Sequence, residues 1–319
     1  SRAVITIPVV FHVVYRTAAE NISDAQIQAQ INQLNLDFAR LNADASGTPS
    51  AFSSLAANTN IQFCLAQRTP TGAATTGIVR KLTTVTSWST NDAVKKSSSG
   101  GDDAWPSSSY LNIWSCNLGS GLLGYAQFPG GAAATDGVVL LYSSIGSVAS
   151  PGTASPYNLG RTATHEVGHW LNLYHIWGDD GTGCTGSDNV GDTPNQAGEN
   201  YGCPTYPKTD GCTAASPGVM FMNYMDYTDD ACMNMFTTGQ STRMNALFVS
   251  GGARASLVNS LGCQPLVACN VPGTLSTGAI GDNTATFNWA AVSGAVSYGV
   301  QYRPTGTATW TTATTTGTT

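Results

Sequence analysis

The chain contains four histidines and three glutamates, and three of those histidines with one glutamate fall within eleven consecutive residues, His165 to His175. His165-Glu166-Val167-Gly168-His169 reads H-E-x-x-H. On a helix, residues four apart project from one face a turn apart, so both imidazoles can reach a single ion. Imidazole suits zinc, and a catalytic zinc keeps one position open for water. Glu166, adjacent to the first ligand, is placed to take a proton from that water rather than to bind the metal. His175 lies six residues after His169, about 240° around the axis if the helix continued. It can act as a third ligand only if the helix breaks between them. A purely structural zinc site would more often use four protein ligands with cysteine prominent.

The acidic residues concentrate in the same region. Ten of the nineteen lie between Glu166 and Asp230, where Lys208 is the only basic residue. Such a charge repels itself unless cations neutralise it. The segment Ser187 to Asn195 offers Asp188, Asp192 and Thr193 within a turn-rich stretch, an oxygen-rich set suited to calcium. Asp179 and Asp180 are weaker calcium candidates.

Several elements must carry these residues. Ile5 to Tyr15 reads as a β-branched strand buried on both faces. A helix follows, capped by Ser23 with Gln26 closing a capping box and Ile22 and Ile27 as a staple. Ile27, Ile31, Leu34 and Phe38 form its apolar stripe. Asn60 to Ala66, Gly77 to Leu82 and Tyr110 to Cys116 read as strands, and Val138 to Tyr142 as a short strand near an edge. Leu159 to Leu171 is the helix that carries the histidines. Irregular, cysteine-rich chain follows from Gly178 to Met220, and Gln240 to Leu261 reads as helical. Strands and helices interleave over residues 1–265, giving an α/β (α+β) catalytic domain. Residues 266–319 differ, being Thr- and Gly-rich with alternating strand patterns around Trp289, Tyr298, Val300 and Tyr302. They resemble the first half of a fibronectin type III module, incomplete against the ~90–100 residues such a sandwich needs.

Composition narrows the function classes. Charged residues are 10 % of the chain and the net charge is -6, which argues against a nucleic-acid partner. No apolar run reaches the ~18–20 residues that span a bilayer. Eight cysteines and a weakly charged, polar surface suit an oxidising, extracellular setting. Ala3 to Tyr15 carries Pro8 and His12 and no cleavage site, so the chain reads as a processed form rather than one with a signal peptide. Cys184, Cys203, Cys212 and Cys232 allow three connectivities. Cys64 and Cys116, on two strands, are candidates to pair, and Cys263 and Cys269 to bridge locally.

The stretch HEVGHWLNLYH together with NYMDYTDDACMNMF resembles the pappalysin family of metzincin proteases, the ulilysin-like and cytophagalysin-like enzymes, over roughly residues 1–262. The metzincin pattern has glycine where this chain has Asn172, and asparagine is the commonest substitute at positive φ. The resemblance implies a metzincin-type catalytic domain with a mixed twisted sheet and an irregular C-terminal subdomain. It makes Met225 the Met-turn methionine beneath the metal and Tyr227 the tyrosine that steadies the reaction intermediate. It matches Asp188 and Thr193 to calcium positions and Asp230 to the pocket for the residue after the cut bond, favouring Arg or Lys there. It also favours the pairs Cys184–Cys212 and Cys203–Cys232.

The expectation is therefore a secreted zinc endopeptidase acting on protein or peptide substrates, with zinc catalytic and calcium structural. Substrate would lie extended along an edge strand, for which Val138 to Tyr142 is the candidate. The alternative is a non-catalytic adhesion protein built on a metalloprotease-like scaffold. Intact Glu166 and a full histidine set count against it. An amidase acting on something other than protein is a third possibility.

Overall fold

The computed structural model describes residues 3–265, 271–293, 295 and 297–318. The chain forms two compact units, Ser1–Gln264 and Pro265–Thr319.

The first unit is built on strand β1 (Ile5–Tyr15). Its first half pairs in parallel with β2 (Ile61–Leu65) and its second half with β3 (Ile78–Leu82). Across Val9 to Val13 it also pairs with β4 (Leu111–Cys116). A strand enclosed on both edges and both faces is expected to be largely apolar, and Ile7 to Val14 are all buried, with His12 the one polar side chain among them. The sheet continues from β4 through β6 (Val138–Leu141), parallel, to β5 (Gly124–Ala126), antiparallel. The strand order is β2-β1-β4-β6-β5, with β3 also on β1.

Side chains alternate between the two faces. Ile7, Val9, Phe11 and Val13 pack with helix residues Ile31, Leu34, Val167 and Trp170. On the other face Val14, Trp114, Cys116 and Val139 are covered by Trp88 and Val94 from the chain between β3 and β4. This is the mixed α/β architecture expected from the pattern of elements.

Helix α1 (Asp24–Phe38) begins where its cap predicts, the Ser23 side chain accepting the Gln26 N–H. The expected capping box does not close. Gln26 instead donates its side-chain N–H to the carbonyls of Ile145 and Ser150, two distant acceptors that a local reading could not foresee. A short helix, α2 (Ser50–Ser53), follows, and α3 (Arg161–Trp170) lies buried along its whole length. The helix expected over Gln240 to Leu261 is shorter. α4 (Thr238–Asn245) carries a true capping box between Thr237 and Gln240, then gives way to single 3-10 turns at Ala246–Phe248 and Ala255–Asn259. Gly251 at φ 82° breaks it. A Cβ on Gly252 would sit only 2.6 Å from the Leu247 carbonyl carbon, so the chain folds back on itself there.

Disulfides join Cys184 to Cys212 and Cys203 to Cys232. Cys64 bonds Cys263, 199 residues away. The expected Cys64–Cys116 pair does not form, and Cys116 is a buried free thiol. The reason is topological. β2 and β4 lie on opposite edges of β1, so two strand spacings, ~9–10 Å, separate them, beyond the ~7 Å a disulfide can span. The expected Cys263–Cys269 bridge is excluded for the same Cys263, and Cys269 itself lies outside the described residues.

The second unit holds two antiparallel pairs. One is β7 (Ser276–Ile280) with β8 (Ala285–Asn288), and the other β9 (Tyr298–Tyr302) with β10 (Thr311–Thr315). Trp289, just after β8, packs edge-on against Tyr298 at 5.5 Å.

Candidate zinc and peptidase site

α3 places His165 and His169 on one face, their ring centroids 4.7 Å apart. The helix then stops in a Schellman motif. Asn172 N–H bonds the His169 carbonyl at 2.8 Å and Leu173 N–H the Gly168 carbonyl at 2.9 Å. Asn172 sits at φ 71°, the left-handed conformation this cap requires. The reversal brings His175 back to the helix, its ring 4.6 Å from that of His169 and 5.3 Å from that of His165.

Among the described residues, His165, His169 and His175 form the one cluster of three or more His, Cys, Asp or Glu whose ligand atoms all lie within 4.8 Å of one another. Each ring commits its Nδ1 hydrogen elsewhere. His165 donates to the Tyr224 carbonyl and His169 to the Leu173 carbonyl, both at 2.7 Å. His175 donates to the Asp179 carboxylate, also at 2.7 Å. A neutral imidazole with Nδ1–H has its lone pair on Nε2. The Nε2 atoms of His169 and His175 face each other at 3.1 Å, an arrangement that repels unless a cation lies between. Burial and the neighbouring rings push the His165 pKa well down, and burial with His175 brings His169 to about 4. Neutral rings with converging lone pairs fit a zinc ion.

Glu166 is buried beside this cluster, and burial raises its carboxyl to about 8. Gly124 on β5 faces it, and a Cβ there would stand 2.8 Å from the Glu166 Cγ. The edge strand can approach the glutamate only because it has no side chain at that point. Met225 lies fully buried under α3, and the Tyr227 hydroxyl is 3.0 Å from His175 Nε2. Burial raises the Tyr227 pKa, so the phenol keeps its proton. The Asp226 carboxylate between them accepts backbone N–H groups from Tyr227 and Asn200, at 2.8 and 2.7 Å. It thereby ties the tyrosine's backbone to the loop over it.

A cavity of about 300 Å³ opens beside His165 and Glu166, bounded by Leu122, Tyr157, Tyr201, Thr228 and Met233, with Asp230 in its wall. Asp230 is 2 % exposed. Its Oδ2 accepts the N–H groups of Leu159 at 2.7 Å and Arg161 at 3.1 Å. Burial nevertheless raises its pKa to about 6. Asp229 is half-buried, its N–H bonded to the Gly202 carbonyl.

The remaining candidates separate. Thr193 donates to the Asp188 carboxylate at 2.8 Å within one turn, and burial raises Asp188 to about 6. Asp192 points elsewhere. It accepts from the Thr237 hydroxyl at 2.6 Å and from Gly239 N–H at 2.8 Å, at the start of α4. Val138 to Tyr142 is not an edge, because β6 is enclosed by β4 and β5. The edge is the three-residue strand β5, too short and Gly-containing to signal itself.

Sequence reasoning also passed over Gly168, whose absent side chain admits Met225, and Arg161 at the start of α3. Arg161 is fully buried, bonded to both Asp44 carboxylate oxygens at 3.1 Å and to the Met233 carbonyl, with Asp37 at 3.2 Å. Thr164 donates to the same Asp37 at 2.7 Å, so two residues of α3 are anchored to α1. A lone arginine at the first position of a helix gives no local sign of such partners.

A buried H-E-x-x-H helix, a third histidine returned by a helix break and a methionine turn below define a zinc metalloendopeptidase. Residues 95–249 match the peptidase M43 family, described as pregnancy-associated plasma protein-A. The chain belongs to this pappalysin family of metzincins. It is 34 % identical over 244 residues to an extracellular metalloprotease of Arthroderma benhamiae, covering 75 % of this chain and 76 % of that protein. Among solved structures it resembles mirolysin in complex with a compound, at 57 % identity and a TM-score of 0.79, covering 81 % of this chain and 97 % of that one. The mature mirolysin of Tannerella forsythia in complex with a cleaved peptide matches with 58 % identity, TM-score 0.79 and the same coverage. No helix among the described residues is long and apolar enough to cross a membrane.

Proposed function

We propose that the chain is a secreted endopeptidase in which His165, His169 and His175 hold zinc, Glu166 is the general base and cleavage falls before Arg or Lys. The observation that carries this reading is the convergence of three histidine ring nitrogens beside the buried Glu166 carboxylate. Bound zinc would supply Lewis acidity, lowering the pKa of an attacking water and drawing charge from the scissile carbonyl. Glu166 takes the proton of the attacking water and delivers it to the leaving amine. The Tyr227 hydroxyl, protonated and beside His175, donates a hydrogen bond to the developing oxyanion. Substrate backbone pairs along the free edge of β5, where Gly124 lets it pass close to Glu166. Asp230 faces the side chain that follows the cut bond and pairs with its cationic head.

Two further readings accompany this one. Calcium binds at the Asp188–Thr193 turn through their oxygens and nearby carbonyls, while Asp192 adds charge and holds the start of α4. Residues 266–319 are the opening strands of a fibronectin type III-like module, which the two antiparallel pairs and the buried Trp289 support. Secretion is supported by extracellular relatives, disulfides and the low content of charge. Stripping zinc with a strong chelator should abolish peptide hydrolysis, and stoichiometric zinc but not calcium should restore it. Hydrolysis that survives full zinc removal contradicts the proposal.

A further inference from the structure

The three histidines are not held alike. His165 and His169 are buried and donate Nδ1–H to backbone carbonyls, fixed by the fold itself. His175 is partly exposed and sits in irregular chain, and its Nδ1 partner is a side chain, Asp179, four residues on at 2.7 Å. Trp177 stacks on the His175 ring at 4.3 Å with an interplanar angle of 6°. Stacking fixes the plane of the ring but not its sense, because a half-turn about Cβ–Cγ leaves the stack intact. The hydrogen bond from Nδ1 to Asp179 on one side and the Tyr227 hydroxyl 3.0 Å from Nε2 on the other set that sense, and of the two only Asp179 brings a carboxylate.

Asp179 is itself held in place. It adopts φ 58° and follows Gly178 at φ 76°. A Cβ on Gly178 would lie 2.5 Å from the Gly186 carbonyl carbon, so this turn packs directly on the next strand of chain. Asp180 then accepts the Thr185 N–H at 2.9 Å and hydroxyl at 3.0 Å, and the Gly186 N–H. Thr185 and Gly186 follow Cys184, which is bonded to Cys212. The two aspartates divide the work: Asp180 pins the turn to the disulfide-held loop, and Asp179 reaches from the pinned turn to the third histidine.

We propose that Asp179 is the positioning residue of the metal centre. It selects the Nδ1–H form of His175, aims Nε2 at the zinc and strengthens it as a ligand through the adjacent negative charge. This rests on the three-histidine zinc reading. The sequence pattern suggested only a weak calcium role for Asp179, and the hydrogen bond assigns it to zinc instead.

The test uses the full chain with Asp179→Ala, Asp179→Gly and Asp179→Asn. Glycine is at ease at positive φ, so the Gly variant removes the carboxylate without backbone strain. Zinc affinity is measured by competition with a chromogenic chelator, and the His175 tautomer in zinc-free protein by nitrogen-15 NMR. The Ala and Gly variants should both bind zinc about 10- to 100-fold more weakly, and their zinc-free His175 should shift toward the Nε2–H form. Asn, which keeps an acceptor but not the charge, should restore the tautomer and recover only part of the affinity. Wild-type affinity in both the Ala and Gly variants with an unchanged tautomer overturns the role of Asp179. A wild-type protein that takes up no zinc overturns the zinc reading as well, which separates the two failures.

Discussion

The Met225 sulfur lies 2.5 Å from where a Cβ on Gly168 would be. The fourth position of H-E-x-x-H and the methionine 57 residues later therefore share one volume. Gly168→Ala should overpack this contact and cost about 1–3 kcal/mol of stability. It should also tilt α3 away from the Met225 segment, and zinc affinity should fall with the melting temperature. Thermal unfolding and chelator competition check this. An Ala variant with unchanged stability and affinity would show that the methionine yields freely.

At Asn172 the backbone conformation is left-handed and the side chain is dispensable to the cap. Asn172→Gly should keep or slightly raise the melting temperature, because glycine carries no strain there. Asn172→Ala should lose about 1 kcal/mol, the usual penalty for a Cβ in this region. Equal effects of the two substitutions would mean that the side chain, not the backbone, matters.

With Asp230 in the proposed pocket, the specificity should depend on pH. An ordinary aspartate stays ionised down to about 4, but burial raises this one to about 6. As pH falls through 6 the carboxyl gains a proton and loses its attraction for a cationic side chain. The ratio of kcat/KM for a substrate with Arg after the cut bond to one with Ala there should drop across that range. Taking the ratio cancels ionisations common to both substrates. Asp230→Asn should flatten the ratio at its low-pH value. A ratio constant from pH 5 to 8 would take Asp230 out of the pocket's chemistry.

What the sequence revealed was local. Period-two and unbroken apolar runs located β1, β2, β3, β4 and β6, and the Ser23 cap located the start of α1. The histidine spacing located the site, because a motif eleven residues long, His165 to His175, survives without tertiary context. What it concealed was set by distant partners. Gln26 answers carbonyls more than a hundred residues away, and Cys64 finds Cys263 rather than Cys116 because β1 separates the nearer candidates. Gly124 and Gly168 signal nothing alone, since each matters only for what fills the space beside it. Asp179 was masked differently. In an acidic stretch it looked like one more calcium oxygen, and only the position of His175 gives it another role.

The central claim is that Glu166 and the three histidines cut peptide bonds. Incubating the protein with a diverse peptide library and mapping every cleavage site by mass spectrometry, with Glu166→Ala alongside, tests it most directly. The account predicts cuts before Arg and Lys in the wild type, and a loss of about 10²- to 10⁴-fold in the variant, the usual worth of a general base, although it still binds zinc. Undiminished cleavage by Glu166→Ala, or no cleavage by folded, zinc-loaded wild-type protein, would contradict it.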